Sequence, residues 1–289
     1  MLMASRTRAY WQLLAAEIQN RAPVIKIKIN GLCTNRCVFC PFHSDPEKLE
    51  VKDLTRFFDM IENPKYRRID INGGEPTLHP RFLEICTFLK DRFKGRVALH
   101  LGTNLIPIAR NDARWSRIRE EVFSTFDMIS VGCDDEHKNI QHLEEFAPII
   151  VGKGIRLSVN VMTAYCSQDI KDRIIALKKA VGFRVSYSDV HHYYEDRPVV
   201  NEAMIPCRRQ VHELMLNCNG EGFFCFHQEF EEPVFNLHTV EKDALNYFLS
   251  EYVPDPYRFC GVCTLYKPKR GLAFRARIQR GLSRIGASA

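Results

Sequence analysis

Apolar and polar positions follow two different periods along the first two thirds of the chain. Six short runs rich in β-branched residues read as strands: Val24–Asn30, Arg68–Asn72, Val97–Leu101, Asp127–Gly132, Arg156–Val161 and Arg184–Asp189. Between them Lys52–Asn63, Arg81–Lys94, Asp112–Phe123, Lys138–Val151 and Asp169–Val181 carry apolar residues near helical spacing. In Arg81–Lys94, for example, Phe82, Ile85, Cys86, Leu89 and Phe93 fall on one face. Strands alternating with helices of this length predict parallel βαβ units. Six units, not eight, predict an α/β fold of the partial (β/α)6, TIM-like barrel type.

The alternation stops after Asp189. Residues 195–206, with Pro198 and Pro206, read as a linker. A hairpin signal follows: Leu214–Cys218, the pair Asn219-Gly220, then Gly222–Phe226. A helix over about Val240–Ser250 and a late Cys pair complete a small α+β domain. The expected organisation is a helical extension over 1–22, a barrel over 23–194, the linker, a second domain over 207–266 and a tail over 267–289. No run approaches 18 uninterrupted apolar residues, and Gln12 and Glu17 break the apolar stretch near the N-terminus. Neither a membrane span nor a secretory signal is therefore expected, and the reading is cytoplasmic.

Charge and cysteine count narrow the chemistry. The net charge is +6, but seven Lys or Arg and no acid lie between Lys267 and Ala289, leaving a near-neutral body. That is no case for a nucleic-acid enzyme. In the tail Phe274, Ile278, Leu282 and Ile285 recur opposite Arg275, Arg277, Arg280 and Arg284. A short basic amphipathic helix is one reading; a tail making no membrane contact is the expected one. Eleven Cys, an odd number, with no export signal point to metal or redox chemistry rather than a disulfide framework.

Directly after the first strand stands Cys33-Thr34-Asn35-Arg36-Cys37-Val38-Phe39-Cys40, a C-x3-C-x2-C run. Three thiolates this close can ligate three irons of a cubane and leave the fourth open. The alternative is a zinc knuckle, with His43 as a fourth ligand. With Phe39 before the last Cys, the run resembles the signature of radical S-adenosylmethionine (radical SAM) enzymes. Further matches follow at successive strand ends. Gly73-Gly74-Glu75-Pro76 resembles the family's GGE motif, which implies that Glu75 accepts from the methionine ammonium. Thr103-Asn104 stands where the family often has Thr-Asn-Gly, with Leu105 in place of the glycine. Ile129-Ser130-Val131-Gly132-Cys133-Asp134 is similar to the Ser-Leu-Asp-Gly type of ending, placing Ser130 near the methionine carboxylate. Asn160 falls where the family contacts ribose or carboxylate. The resemblance implies a [4Fe–4S] cluster bound to S-adenosylmethionine, a flavodoxin- or ferredoxin-type reductant, and a 5′-deoxyadenosyl radical. The cofactor would carry the hard chemistry while the protein binds and orients it.

A second cysteine set, Cys207 and Cys225 flanking the hairpin and Cys260-Gly261-Val262-Cys263, resembles the twitch relative of the SPASM extension. It implies one auxiliary [4Fe–4S] cluster; a four-thiolate zinc ribbon is the alternative. Of the remaining cysteines, Cys86 is expected in the core and Cys218 to pack inside the hairpin. Cys133 and Cys166 follow strands four and five, as packed residues or, in an epimerase, as hydrogen-atom donors. Tyr165, His191, His192, Tyr193 and Arg208 are candidate substrate contacts; a polar connecting loop accounts equally well for His191–Tyr193. Only 32 residues precede Cys33, little room for a leader-binding domain, so a small polar substrate is expected ahead of a peptide. The leading expectation is dehydrogenation of a sugar or aminocyclitol. The rivals are epimerisation, peptide modification, and a non-catalytic iron–sulfur or zinc scaffold.

Overall fold

A computed structural model describes residues 24–40, 47–61, 66–188, 213–223, 233 and 235–243. Nine strands form one sheet among these residues: β1 (Val24–Lys28), β2 (Arg68–Asn72), β3 (Ala98–Thr103), β4 (Met128–Gly132), β5 (Arg156–Met162), β6 (Arg184–Ser188), β7 (Glu213–Leu216), β8 (Glu221–Phe223) and β9 (Phe235–Asn236). Their order is β6-β5-β4-β3-β2-β1-β7-β8-β9. Strands β1 to β6 are parallel and sequential. The crossovers between them carry α1 (Val51–Met60), α2 (Phe82–Phe93), α3 (Ala113–Thr125), α4 (Ile140–Gly152) and α5 (Gln168–Val181). Sequential order winds every crossover the same way and sets the helices on one face, as in a segment of a (β/α) barrel.

Alternation along the strands sorts the two faces. Ile25, Ile27, Ile69, Ile71, Leu99, Leu101, Ile129, Val131, Val159 and Val161 share one hydrophobic core with helix residues such as Phe57, Phe82, Leu89, Val122 and Leu143. The alternate positions are mostly polar or small: Lys26, Asp70, Asn72, His100, Gly102, Ser130, Gly132, Ser158, Asn160 and Ser186. They line the inner face, away from the helices. All strand ends carrying the predicted motifs open to the same edge of the sheet, which is where parallel barrels place their chemistry.

The six strands and five helices expected from the pattern are present, with ends shifted by up to three residues. β1 stops at Lys28, and Asn30 makes an isolated bridge to Lys48 instead. The expected hairpin forms, but it extends the barrel sheet: β7 pairs in parallel with β1 from Val24↔Glu213 to Ile27↔Leu216. Its turn runs through Cys218, Asn219 and Gly220, closed by the Asn217 amide donating to Glu221 O at 2.8 Å. Only Gly220 is left-handed (φ +84°), so the turn ends in a bulge. The extension 1–22, residues 189–212 with the linker, Cys225, the helix beyond 243, Cys260, Cys263 and the tail lie outside the described residues. So do His43, His191, His192, Tyr193, Cys207 and Arg208. No helix among the described residues is long and apolar enough to cross a membrane.

Candidate active site

The Cys33–Cys40 loop leaves β1 and is tied to four neighbouring strand ends. Towards β2, the Gly74 amide donates to Asn30 O (2.9 Å) and the Glu75 amide to Leu32 O (2.6 Å). A Cβ on Gly73 would stand 2.6 Å from Asn30 O, and one on Gly74 would run into the carbonyls of Gly31 and Leu32. The glycine pair is thus required by close packing of the protein's own backbone. Towards β3, Asn104 Nδ2 donates to Thr34 Oγ1 at 2.8 Å and lies 3.8 Å from Cys33 Sγ. Towards β4, Asn35 Nδ2 donates to His137 O (2.9 Å) and the Val38 amide to Glu136 Oε2 (3.2 Å). Towards β5, the Phe39 ring packs on Tyr165 (centroids 5.2 Å apart) and also on His137 (5.8 Å).

The thiols themselves sit in electronegative surroundings. Burial, then Asp134 and the Cys40 and Cys33 thiols, push the Cys37 thiol up to about 12. Burial is also the largest cause raising Cys33, with Glu75 and Cys40 adding to it. Bare thiolates are disfavoured here, so the loop fits a cationic iron centre that drives their deprotonation. Among the described residues no three His, Cys, Asp or Glu side chains converge tightly enough to hold a single ion. Cys33, Cys37 and Cys40 would hold the cluster. Ser130 and Asn160, on the inner face beside the loop, would face the nucleoside and amino-acid parts of S-adenosylmethionine, whereas the Thr103 hydroxyl is turned to Glu75 and the Asn104 amide to Thr34.

Glu75 departs from its expected part. It is 0% exposed, and its two oxygens accept from Thr77 N (3.2 Å), Thr77 Oγ1 (2.6 Å), Thr103 Oγ1 (2.9 and 3.0 Å) and Asn104 N (2.7 Å). Burial raises its carboxyl above the ordinary range, while those donors pull the other way. The carboxylate is committed to joining the β2 and β3 ends and has no exposed oxygen to offer an ammonium. Pro76 starts the 3₁₀ turn Pro76–Leu78 that brings Thr77 back onto it. Leu105, in place of the family's glycine, takes the left-handed conformation itself (φ +66°) and is fully buried.

Of the two expectations for Cys133 and Cys166, the structure places both as packed residues. Both belong to the hydrophobic core, at 0% and 6% exposure, and burial is the main cause raising them, to about 12 and about 11. The alternation explains it: Gly132 faces inward, so Cys133 faces the helices. Cys86 and Cys218 are buried as expected. Tyr165 is engaged beneath Phe39. Asn160 is exposed on the inner face of β5.

Several residues had not been singled out from the sequence. Asp134, fully buried, accepts from the Glu136 and His137 amides and lies 2.8 Å from His137 Nδ1. Asn139 Nδ2 donates to Asn104 O (2.7 Å) and Gly132 O (2.8 Å), clamping the β3 and β4 ends. On the inner face Arg68 Nε donates to Asp70 Oδ1 (2.6 Å), His100 Nδ1 lies 3.0 Å from the same oxygen, and His100 Nε2 stands 2.7 Å from Ser130 Oγ. Burial alone would raise the Asp70 carboxyl, but His100 and Arg68 together hold it below its ordinary value. The signal available for this last group was the alternation itself: Asp70 stands between Ile69 and Ile71, and His100 between Leu99 and Leu101.

This arrangement, three thiols on one loop enclosed by four strand ends of a parallel barrel sheet, agrees with the family comparison. Residues 27–204, more than half of the chain, match the Radical SAM superfamily model, and the chain belongs to that family. Membership implies an enzyme that uses a [4Fe–4S] cluster and S-adenosylmethionine. Among relatives, GTP 3′,8-cyclase of Haemophilus influenzae (strain PittEE) is 25% identical over 111 residues, covering 36% of this chain and 33% of the cyclase. The match thus spans about a third of that relative's length. Among solved structures, Streptococcus suis SuiB bound to precursor peptide SuiA aligns with a TM-score of 0.55 at 12% identity, covering 83% of this chain and 70% of SuiB. The enzyme anSMEcpe with bound AdoMet and Cp18Cys peptide aligns at 0.54 with 14% identity, covering 83% and 87%. At these identities the two structures establish the fold alone.

Proposed function

We propose that this radical SAM enzyme removes a carbon-bound hydrogen from a small polar substrate and oxidises it, a sugar- or aminocyclitol-like secondary alcohol being the simplest case. The observation that carries the reading is the inner face, where polar side chains from Lys26 across to Ser186 line the space below the cluster loop. Such a lining suits a polar substrate, whose groups replace the water that binding displaces. Bound here, the cofactor would supply a 5′-deoxyadenosyl radical that takes the carbon-bound hydrogen atom, a second cluster on Cys207, Cys225, Cys260 and Cys263 would accept the remaining electron, and the hydroxyl proton would pass to solvent. The chain's own task is to hold the cofactor between the loop and the β3, β4 and β5 ends and to keep water out. A flavodoxin- or ferredoxin-type protein is the proposed reductant.

Oxidation is preferred to epimerisation because Cys133 and Cys166 pack in the core, so neither thiol is placed to return a hydrogen atom. Peptide modification is the second reading, favoured by the precursor peptide and Cys-peptide carried by the two structural neighbours. The test is anaerobic incubation of reconstituted protein with reductant, S-adenosylmethionine and pools of sugars, aminocyclitols or peptides, read by mass spectrometry. Oxidation gives a product two hydrogens lighter, without solvent deuterium at the abstraction carbon. A product of unchanged mass in light water that gains one deuterium in heavy water would replace oxidation by epimerisation. Turnover of peptides alone would move the substrate class.

A further inference from the structure

The outer side of the cysteine loop takes no part in the site described above. Along it Leu32, Thr34, Arg36 and Val38 are exposed, whereas Cys33 is half-buried and Cys37 buried. Asn35 and Phe39 turn inward, to His137 O and to the rings of His137 and Tyr165. The loop is therefore a wall one residue thick. Arg36 and Val38 flank Cys37 directly, and neighbouring Cα atoms stand only about 3.8 Å apart. A group seated on the outer side is separated from the thiols by little more than main chain, and it need not enter the barrel interior.

Two features give that side a chemical character. Leu32 and Val38 are 43% and 62% exposed, so two of the five exposed large apolar side chains among the described residues lie on this one loop. Beside them stand cations. Arg36 is exposed, and so is Lys138 on the β4–α4 connection, next to the His137 carbonyl that Asn35 holds. Neither side chain enters an ion pair among the described residues. The acids of that connection are turned to the protein's own donors, Glu136 to the Val38 amide and Asp135 to the Ser167 amide and hydroxyl. On the β3–α3 connection, which leaves from Asn104 beside Thr34, exposed Arg110 and Arg114 pack over Trp115, and Asp112 between them caps α3. An apolar centre with a charged rim is the make-up of a protein contact, and so small a centre suits a short-lived one. Unpaired cations at the rim select a partner with carboxylates around its own redox group.

We infer that Leu32, Arg36, Val38 and Lys138 form the docking surface for an acidic one-electron carrier protein, which reduces the cluster from outside while the inner face holds substrate. The carrier loses one electron and the cluster gains it; no bond forms or breaks. The inference rests on the reading of Cys33, Cys37 and Cys40 as cluster ligands.

The test compares anaerobically reconstituted wild type with Arg36→Glu/Lys138→Glu and Val38→Ser. A control of equal charge change is Lys178→Glu/Lys179→Glu, in the last turn of α5 at the opposite edge of the sheet. Binding of oxidised flavodoxin, an acidic carrier, is read by titration calorimetry, and cluster reduction by its hydroquinone by stopped-flow absorbance. Both are measured at about 10 mM and about 1 M salt, where the Debye length is about 30 Å and about 3 Å. Dithionite serves as a reductant that needs no docking, and iron content is measured throughout. The double charge reversal should weaken binding and slow reduction roughly 10-fold or more at low salt, with the gap narrowing at high salt. Val38→Ser should weaken both roughly 5-fold at either salt. The control should match wild type, and dithionite should reduce every protein alike. Equal loss in the control assigns the effect to overall charge and overturns the inference. So does wild-type binding in both loop-side variants, or a wild type that binds no flavodoxin. A dimer of the enzyme that the same changes dissolve, read by sedimentation, gives the surface to a second copy and overturns it as well. If Arg36→Glu/Lys138→Glu holds little iron, Lys138→Glu alone, outside the cysteine loop, decides by the same comparison. Wild type without a dithionite-reducible cluster defeats the cluster reading first, and the inference falls with it.

Discussion

Glu75 shows how one side chain can carry two different expectations. A carboxylate beside two glycines in this motif implies an ammonium contact, yet its oxygens are filled by Thr77, Thr103 and Asn104. Glu75→Gln turns one oxygen into an amide donor facing other donors, leaving at least one buried group unpaired at a cost of about 1–3 kcal/mol. The expected result is a lower melting temperature, with cofactor affinity falling only as the strand ends loosen. A Gln variant with unchanged melting and S-adenosylmethionine binding weakened tenfold or more would restore the ammonium contact. Asp70 gives a pH prediction at the same scale. Its carboxyl is lowered in the folded protein, so its stabilisation is complete above the unfolded carboxylate value of about 3.9 and is lost as pH falls through the lower folded value. Chemical denaturation should show the wild type more stable than Asp70→Asn at pH 7, with the gap closing below about pH 4. A gap independent of pH would show that Asp70 acts by packing alone.

At the scale of elements, the glycines divide into two kinds. Gly182 ends α5 in the left-handed conformation (φ +84°) with nothing within 4 Å of a built Cβ. Gly182→Ala should cost about 1 kcal/mol through backbone strain, with iron content unchanged. Gly74 has no such freedom, because its Cβ would strike backbone carbonyls of the loop that carries Cys33. Gly74→Ala should displace the Cys33–Cys40 loop, and iron content after reconstitution should drop well below the wild-type value while Gly182→Ala keeps it. Equal iron in both would mean that the loop tolerates the shift. Leu105 combines both effects. Its left-handed backbone costs roughly 1–2 kcal/mol, yet its side chain is wholly buried. Leu105→Gly relieves the strain and loses a core leucine, a site where truncation to alanine costs about 2–5 kcal/mol. A net loss of stability is expected from denaturant unfolding. A net gain would show that the strain dominates.

For the whole molecule, the prediction is iron arithmetic across the complete chain. One loop of three thiols and a second set of four imply two [4Fe–4S] clusters. Reconstituted protein should therefore carry about eight irons, and changing Cys33, Cys37 and Cys40 together to Ala should leave about four and abolish cofactor cleavage. Stoichiometric zinc with no visible absorption in anaerobically purified protein would sink both assignments. β7, which lies between Cys207 and Cys225 in sequence, is hydrogen-bonded along β1, the strand that ends at the cluster loop.

Local order was written in the sequence because it depends on neighbours along the chain. Period-two and period-3.6 patterns predicted the six parallel strands and five helices, and the C-x3-C-x2-C run with its ordered companions pointed to the family. What the chain alone did not reveal depends on partners that only folding brings together. The 70-residue interval between Thr34 and Asn104, the 102-residue interval between Asn35 and His137, and the 30-residue interval between His100 and Ser130 are closed by hydrogen bonds across strand ends or strands. Tertiary structure turned Glu75 away from its expected ligand, sent Cys133 and Cys166 into the core, joined the hairpin to β1 and aligned Asp70 with His100. The physical reason is directional. Periodicity tells which residues are buried, but a hydrogen bond or a thiol contact needs both partners within about 3–4 Å, and strand register alone sets that distance.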